Sequence, residues 1–233
     1  NSAYCSLPNQ VTSLTRAIIM LGINTVKNLS LSTAVLASLG GKESFQGLSM
    51  DDFWTHSICV GVTAKSLAAI KDIPSTNLEE YFVAGLLHDL GKIPLFNCFP
   101  EEYGHALENV TPKQASLRYT ENIMFGIDHC MVGKMIAEKW QLGDAIYDSI
   151  YYHHNPEEAG DQNSPLITIV SLANTCSNIF EIGSSGDAFS DRSILSRLLD
   201  KVGVSWVTIS ELRETVLKEI EKAKVFLQIT QKG

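Results

Sequence analysis

The sequence predicts an all-α protein, a globular helical bundle rather than a coiled coil. Three observations carry that expectation. Apolar residues recur at helical spacing, as in Leu14, Ala17, Ile18 and Leu21. Capping serines, helix-opening prolines and helix-closing glycines punctuate nearly every segment. No stretch alternates apolar and polar residues as a strand would, and no internal repeat is present.

The elements follow in order. The first helix stops at Gly22, and a second, carrying Val26, Leu29, Ser30, Thr33 and Leu36, ends at Gly40-Gly41. Ser49 opens a third, with Asp52 at the capping-box position, running through Trp54, His56 and Val62 to about Ile70. Asn77-Leu78-Glu79-Glu80 starts a fourth, whose apolar body leads into His88-Asp89 before Gly91 and Pro94 break it. Pro100, Pro112 and Pro165 each stand where a first-turn proline would begin a helix. His129 starts a helix reaching about Trp140, and His153-His154 closes the next, before Asn155-Pro156. Ala159 to Ser164 and Ser184-Ser185-Gly186-Asp187 read as polar loops. Ser210-Glu211 opens a long amphipathic helix with Leu212, Val216, Ile220, Ala223 and Leu227 on one face.

A formal net charge of -8 argues against a nucleic-acid partner, and no basic run offsets it. No apolar stretch approaches the ~18 residues that span a bilayer, and no signal peptide lies within these residues. Cys5, Cys59, Cys98, Cys130 and Cys176 are odd in number and without a framework, which suits reduced thiols in a cytoplasm. Cys59, Cys130 and Cys176 stand near the suspected site residues, and small core residues are the plainer reading of them. Because the chain begins at Asn1 rather than Met, further sequence is expected upstream.

Five of the six histidines fall in an ordered series: His56, His88-Asp89, His129, then His153-His154. Imidazole and carboxylate are ligands preferred by borderline metals such as Fe, Mn, Zn and Co. Neither C-x-x-C nor H-E-x-x-H occurs, so a zinc finger and a zincin are excluded. Side chains of adjacent helical residues diverge by about 100°, so His88 and Asp89 share an ion only where the helix ends. Asp52 and His56 are spaced to face one ion, although Asp52 also fits a capping role at Ser49. His129, His153 and His154 would hold a second ion or donate to a phosphate, and His154 also suits a helix C-terminus. Lys92 is either a point charge for a phosphate or a solvated lysine at a helix end. His105, beside Gly104 in a polar stretch, reads as a surface residue.

The run Phe82-Val83-Ala84-Gly85-Leu86-Leu87-His88-Asp89-Leu90-Gly91-Lys92 resembles the signature of the HD superfamily of metal-dependent phosphohydrolases. More closely, the chain resembles the HDOD domain, the HD-related output domain of bacterial signalling proteins. The resemblance rests on Asn1-Ser2-Ala3-Tyr4, Ala17-Ile18 with Leu21-Gly22, Trp54-Thr55-His56-Ser57, Phe125-Gly126-Ile127-Asp128-His129, Trp140 and His153-His154. In that family Asn-Ser-Ala follows several helices, so the resemblance implies that the first part of the domain is missing here. It places an HDOD-like helical domain at 1–185 and a C-terminal helical extension, packed on it, at 186–233.

The superfamily's ligands carry over to His56, His88 and Asp89, and its later aspartate falls on Asn174. Relatives that cleave cyclic-di-GMP add histidines matching His129, His153 and His154, together with a Gly-Tyr-Pro motif. Asn155-Pro156-Glu157-Glu158-Ala159-Gly160 stands in its place here. One divalent ion on His56, His88, Asp89 and Asn174 would leave about +1, and a second about +3, or one less with Asp52; buried charge on that scale is costly.

The resemblance therefore implies a cytoplasmic signalling domain that binds one or two divalent ions of Fe, Mn, Zn or Ni. It would act on a protein partner or a small phosphorylated ligand. The alternative is an active metal-dependent phosphohydrolase acting on a nucleotide or cyclic dinucleotide, with Asp89 and Lys92 as catalytic residues. A purely structural module is the third reading.

Overall fold

Ser49 starts the helix on which the rest is built, its hydroxyl accepting from the Asp52 amide at 3.4 Å. A computed structural model describes residues 44–45, 48–113, 116–161, 164–187 and 192–230. The expected helices before Gly41 lie outside the described residues. Helix α1 (Met50–Ile70) follows a two-residue antiparallel pairing of β1 (Ser44–Phe45) with β2 (Leu48–Ser49). Every residue from His56 to Ala64 is buried, so α1 is enclosed on all sides rather than along one stripe. Around it come α2 (Leu78–Leu87), α3 (Lys92–Cys98), α4 (Pro100–Lys113), α5 (Leu117–Phe125) and α6 (His129–Lys139). The chain continues with α7 (Asp144–Tyr152), α8 (Ser164–Ile179), α9 (Arg192–Val202) and α10 (Trp206–Thr230). Helices α2, α8 and α10 pack directly on α1, and α6 pairs with α7. The architecture is the all-α bundle expected.

Two glycines set the distances on which the interior depends. Gly85 on α2 crosses Gly61 on α1 so closely that a Cβ on Gly85 would lie 2.7 Å from the Gly61 Cα. Backbone contact there sets His56, more than a turn from Gly61, and His88, about one turn from Gly85, on facing helices. Gly91, in the turn after α2, abuts the first turn of α6, where a Cβ would meet the His129 carbonyl at 2.0 Å. That contact brings the His88-Asp89 turn against His129.

Three local expectations are corrected. Pro112 opens no helix but lies in the last turn of α4, which ends at Lys113. Its ring removes the ladder bond to the Glu108 carbonyl, and the helix stops one residue later. Pro94 does not break a helix; it sits in the first turn of α3, where a missing N–H has no intrahelical partner to lose. The long C-terminal helix starts at Trp206, not Ser210, because Ser205 caps it by accepting from the Thr208 amide at 3.1 Å.

Overpacking of a fixed backbone crossing typically costs ~1–3 kcal/mol. Urea unfolding should therefore show Gly91→Ala destabilised by about 2 kcal/mol or more, whereas Gly160→Ala, whose Cβ would meet open space, should stay within about 0.5 kcal/mol of wild type. Equal midpoints for the two variants would refute the close-contact argument.

Candidate metal centre

The ends of helices, rather than their middles, supply this site. Helix α2 finishes at Leu87, and His88 to Gly91 form tight turns, with Leu90 N–H donating to Leu87 C=O and Lys92 N–H to Asp89 C=O at 3.0 Å each. This change of path turns both His88 and Asp89 inward, as the sharing of an ion requires. His129 opens α6 behind the N-cap Asp128, which accepts from the Met131 amide at 2.9 Å. His153 caps the C-terminus of α7, while His56 and Asn174 come from the bodies of α1 and α8.

Four imidazoles surround one carboxylate. Asp89 Oδ2 lies 3.2 Å from His88 Nε2 and 3.8 Å from His56 Nε2, and Oδ1 lies 3.4 Å from His129 Nε2 and 3.5 Å from His153 Nε2. His88 Nδ1 donates to the Gly85 carbonyl at 2.7 Å and His153 Nδ1 to the Ile150 carbonyl at 2.9 Å. His56 Nδ1 donates to Ser177 Oγ at 3.2 Å, and that hydroxyl donates in turn to the Ile182 carbonyl. A carbonyl only accepts, so each neutral ring carries its proton on Nδ1 and presents a bare Nε2 to an anion. These three Nε2 atoms, Asp89 Oδ1 and Asn174 Oδ1 are all buried without a hydrogen-bond partner. Buried polar atoms are seldom left so. Lone pairs converging on a carboxylate are the arrangement a cation satisfies, and the outer bonds are those that orient metal-ligating histidines.

Burial, the largest influence on each, pulls His56 down to about 3 and His153 to about 4, so both rings are neutral ligands near pH 7. Burial would raise Asp89, but His88 and Lys92 outweigh it and hold the carboxylate well below its usual value. Lys92 is itself buried, and Asp89, Asp187 and Glu121 together keep its ammonium above its ordinary value against that burial. Against burial, Cys130 and Glu121 hold the His129 ring well above its ordinary value. Formal charges of Asp89, Glu121, Asp187, Lys92 and a cationic His129 sum to about -1, so one divalent ion leaves this interior at about +1.

Most of the residues picked from the sequence meet here. His56, His88 and Asp89 form one group of ligand atoms within 4.8 Å of one another, and His129, His153 and His154 share a second with Cys130. Asn174 stands beside His56. Asp52 is not brought in: it lies exposed in the first turn of α1, where its carbonyl accepts from the Ser184 amide. His105 is on the surface, as expected. Lys92 is not the solvated residue considered, since its ammonium donates to Asp89 Oδ2 at 2.8 Å and to the carbonyl and hydroxyl of Ser185 at 3.2 and 3.0 Å.

Three residues escaped sequence reasoning. Glu121 is buried on α5 and accepts from both the amide and Nδ1 of His129, at 2.9 and 2.6 Å, while Tyr103 donates to its other oxygen. Ser185 and Asp187 lie in the segment read as a polar loop, which turns inward and is buried at both positions. A carboxylate eight residues before a suspected ligand was the available signal for Glu121. A cavity of about 380 Å³, lined by His153, His154, Asn174, Asp187, Ser171 and Asn178 among others, opens onto the site.

A model of the HDOD domain matches residues 1–156. A solved HDOD domain protein of unknown function from Geobacter sulfurreducens superposes with a TM-score of 0.70 at 24% identity, covering 95% of this chain and 77% of that one. A candidate signal transduction protein from Marinobacter aquaeolei VT8 gives 0.74 at 20% identity, covering 98% and 50%. Among curated proteins, an uncharacterized protein of Treponema pallidum is 26% identical over 178 residues, and a ribonuclease Y of Mycoplasma mycoides 28% over 201. The matches take in 75% and 85% of this chain, but it spans only 33% and 40% of those two proteins.

Elemental analysis of protein purified without added metal should show His88→Ala and Asp89→Asn stripped of the ion, and His105→Ala loaded like wild type. Ser177→Ala, which removes the hydroxyl that orients His56, should weaken retention about 10–100-fold, the usual cost of losing a group that orients a ligand. Equal metal content in every variant would mean that the cluster is not a cation site.

Proposed function

The chain belongs to the HDOD domain family, and we propose that it is a bacterial, cytoplasmic signal-transduction domain whose HD-type pocket holds one divalent ion for regulation rather than for hydrolysis. In this reading residues 1–185 form the signalling domain, and 186–233 a helical extension laid on it. The ion is of the Fe, Mn, Zn or Ni group, held by His56, His88 and Asp89 with Asn174 at their side. Output passes to a protein partner, or is set by a small phosphorylated ligand entering the cavity. Among the described residues no helix is long and apolar enough to cross a membrane.

The observation that carries the reading is the state of Lys92. An ammonium has three donors, and all three are taken by Asp89 and Ser185 inside the protein. The cation that would bind a substrate phosphate is committed to holding the pocket's own carboxylate. Charge agrees: a hydrolase that uses two ions to activate water and stabilise the leaving oxygen needs more anionic ligand than this site brings with Asn174. When bound, the ion would act as a Lewis acid. The protein's own residues orient the rings, keep those of His56 and His153 neutral, and keep Asp89 ionised beside Lys92.

A second reading, a metal-dependent phosphohydrolase, is favoured by one feature. The cavity reaches His153, His154 and Asn174, so a phosphorylated molecule has a way in. The likeness to ribonuclease Y proteins points to the same class of chemistry, while the net charge of -8 weighs against RNA as substrate.

With Mn or Fe supplied, wild-type protein should show negligible hydrolysis of bis-p-nitrophenyl phosphate and of cyclic-di-GMP. Asn174→Asp should tighten metal retention, because it returns a negative charge to the ligand set. Robust turnover by wild type, lost in His88→Ala, would overturn the regulatory reading and make the protein an enzyme.

A further inference from the structure

The second cluster contains an atom that neither the family resemblance nor the ordered histidines call for. Cys130 Sγ lies, with one nitrogen from each of His129, His153 and His154, in a group whose members are all within 4.8 Å of one another. The thiol is buried, unpaired with any other cysteine, and placed in the first turn of α6. His129 Nε2 and His154 Nε2 are 3.1 Å apart, hydrogen-bonded to one another. His154 is partly exposed, at 19%, and lines the cavity, so an ion has a path from solvent.

We infer that His129, Cys130, His153 and His154 form a second cation site with a sulfur ligand, which takes a zinc-class divalent ion from solution. The inference rests on reading the pocket as a metal centre, and it distinguishes two positions by chemistry. The His56, His88 and Asp89 position offers nitrogen and oxygen and suits Fe or Mn as well as Zn. The position at Cys130 offers nitrogen and thiolate, which select zinc-class ions over hard ones. A tetrahedral ion with bonds of about 2.0–2.1 Å to nitrogen and about 2.3 Å to sulfur sets its ligands roughly 3.3–3.6 Å apart, so the cluster needs to close by about 1 Å.

Cobalt(II) titration of the full chain tests this, because thiolate ligation gives a near-ultraviolet charge-transfer band that nitrogen and oxygen ligands do not. Wild type is expected to take up two equivalents, the second bringing the band. In Cys130→Ser and Cys130→Ala the first equivalent and its visible absorption should remain. The band should be absent, and the second equivalent at least tenfold weaker. Cobalt bound by wild type without the band, or a band that persists in either Cys130 variant, overturns the sulfur site while leaving the first position intact. No cobalt bound by wild type overturns the metal-centre reading itself. Cys130→Ser nearly preserves the buried volume, and the wild-type spectrum needs no variant, so a misfolded Cys130→Ala leaves the test decisive.

Discussion

Everything in this molecule that bears on function depends on one buried carboxylate facing four imidazole rings. Asp89 has histidine Nε2 atoms at 3.2–3.8 Å on both of its oxygens. Taken alone this arrangement would be costly, because three of those rings direct lone pairs at an anion. Outer bonds hold it in place. Two backbone carbonyls, a serine hydroxyl and Glu121 occupy the four Nδ1 atoms. The glycine crossings make those bonds possible: Gly85 both meets Gly61 and lends its carbonyl to His88. Fold and site are thus one construction, in which close backbone packing sets the ring orientations.

How much of this the sequence discloses depends on how local each signal is. The helical class, the start of α1 at Ser49 and the start of α6 at His129 are legible because caps and periodicity act within a few residues. His56, His88-Asp89, His129 and His153-His154 are legible as a series because imidazole is rare and chemically specific. Glu121, Ser185 and Asp187 were missed for the opposite reason. Glutamate, serine and aspartate are common on surfaces, and only tertiary packing buries these three. Asp52 shows the same limit in reverse. Its spacing from His56 fits a shared ion, but the first turn of α1 leaves its side chain exposed. Lys92 was misjudged between solvent and substrate because the partner that draws it inward, Ser185, lies 93 residues away.

The buried partners do not change the charge count. From the ligand residues alone, a single ion leaves an excess of about +1. Glu121 and Asp187 are offset by Lys92 and the cationic His129, so that excess stands, and a small anion from solvent would complete the site.

Such a pocket can transmit a signal without breaking a bond. The ligands come from α1, α6, the turn after α2 and the end of α7, so occupancy ties those elements together. An ion that binds only the folded arrangement adds about 2.7 kcal/mol of stability at a hundredfold excess over its Kd, a sizeable share of a typical domain's total. The gain falls on helix ends, where local stability is ordinarily lowest. The mouth of the cavity, at His154 and Asp187, is built from such ends and from the inward-turned loop that holds Lys92. Metal occupancy would thereby set how firmly that mouth is held, and a partner or ligand reading the mouth would read the ion.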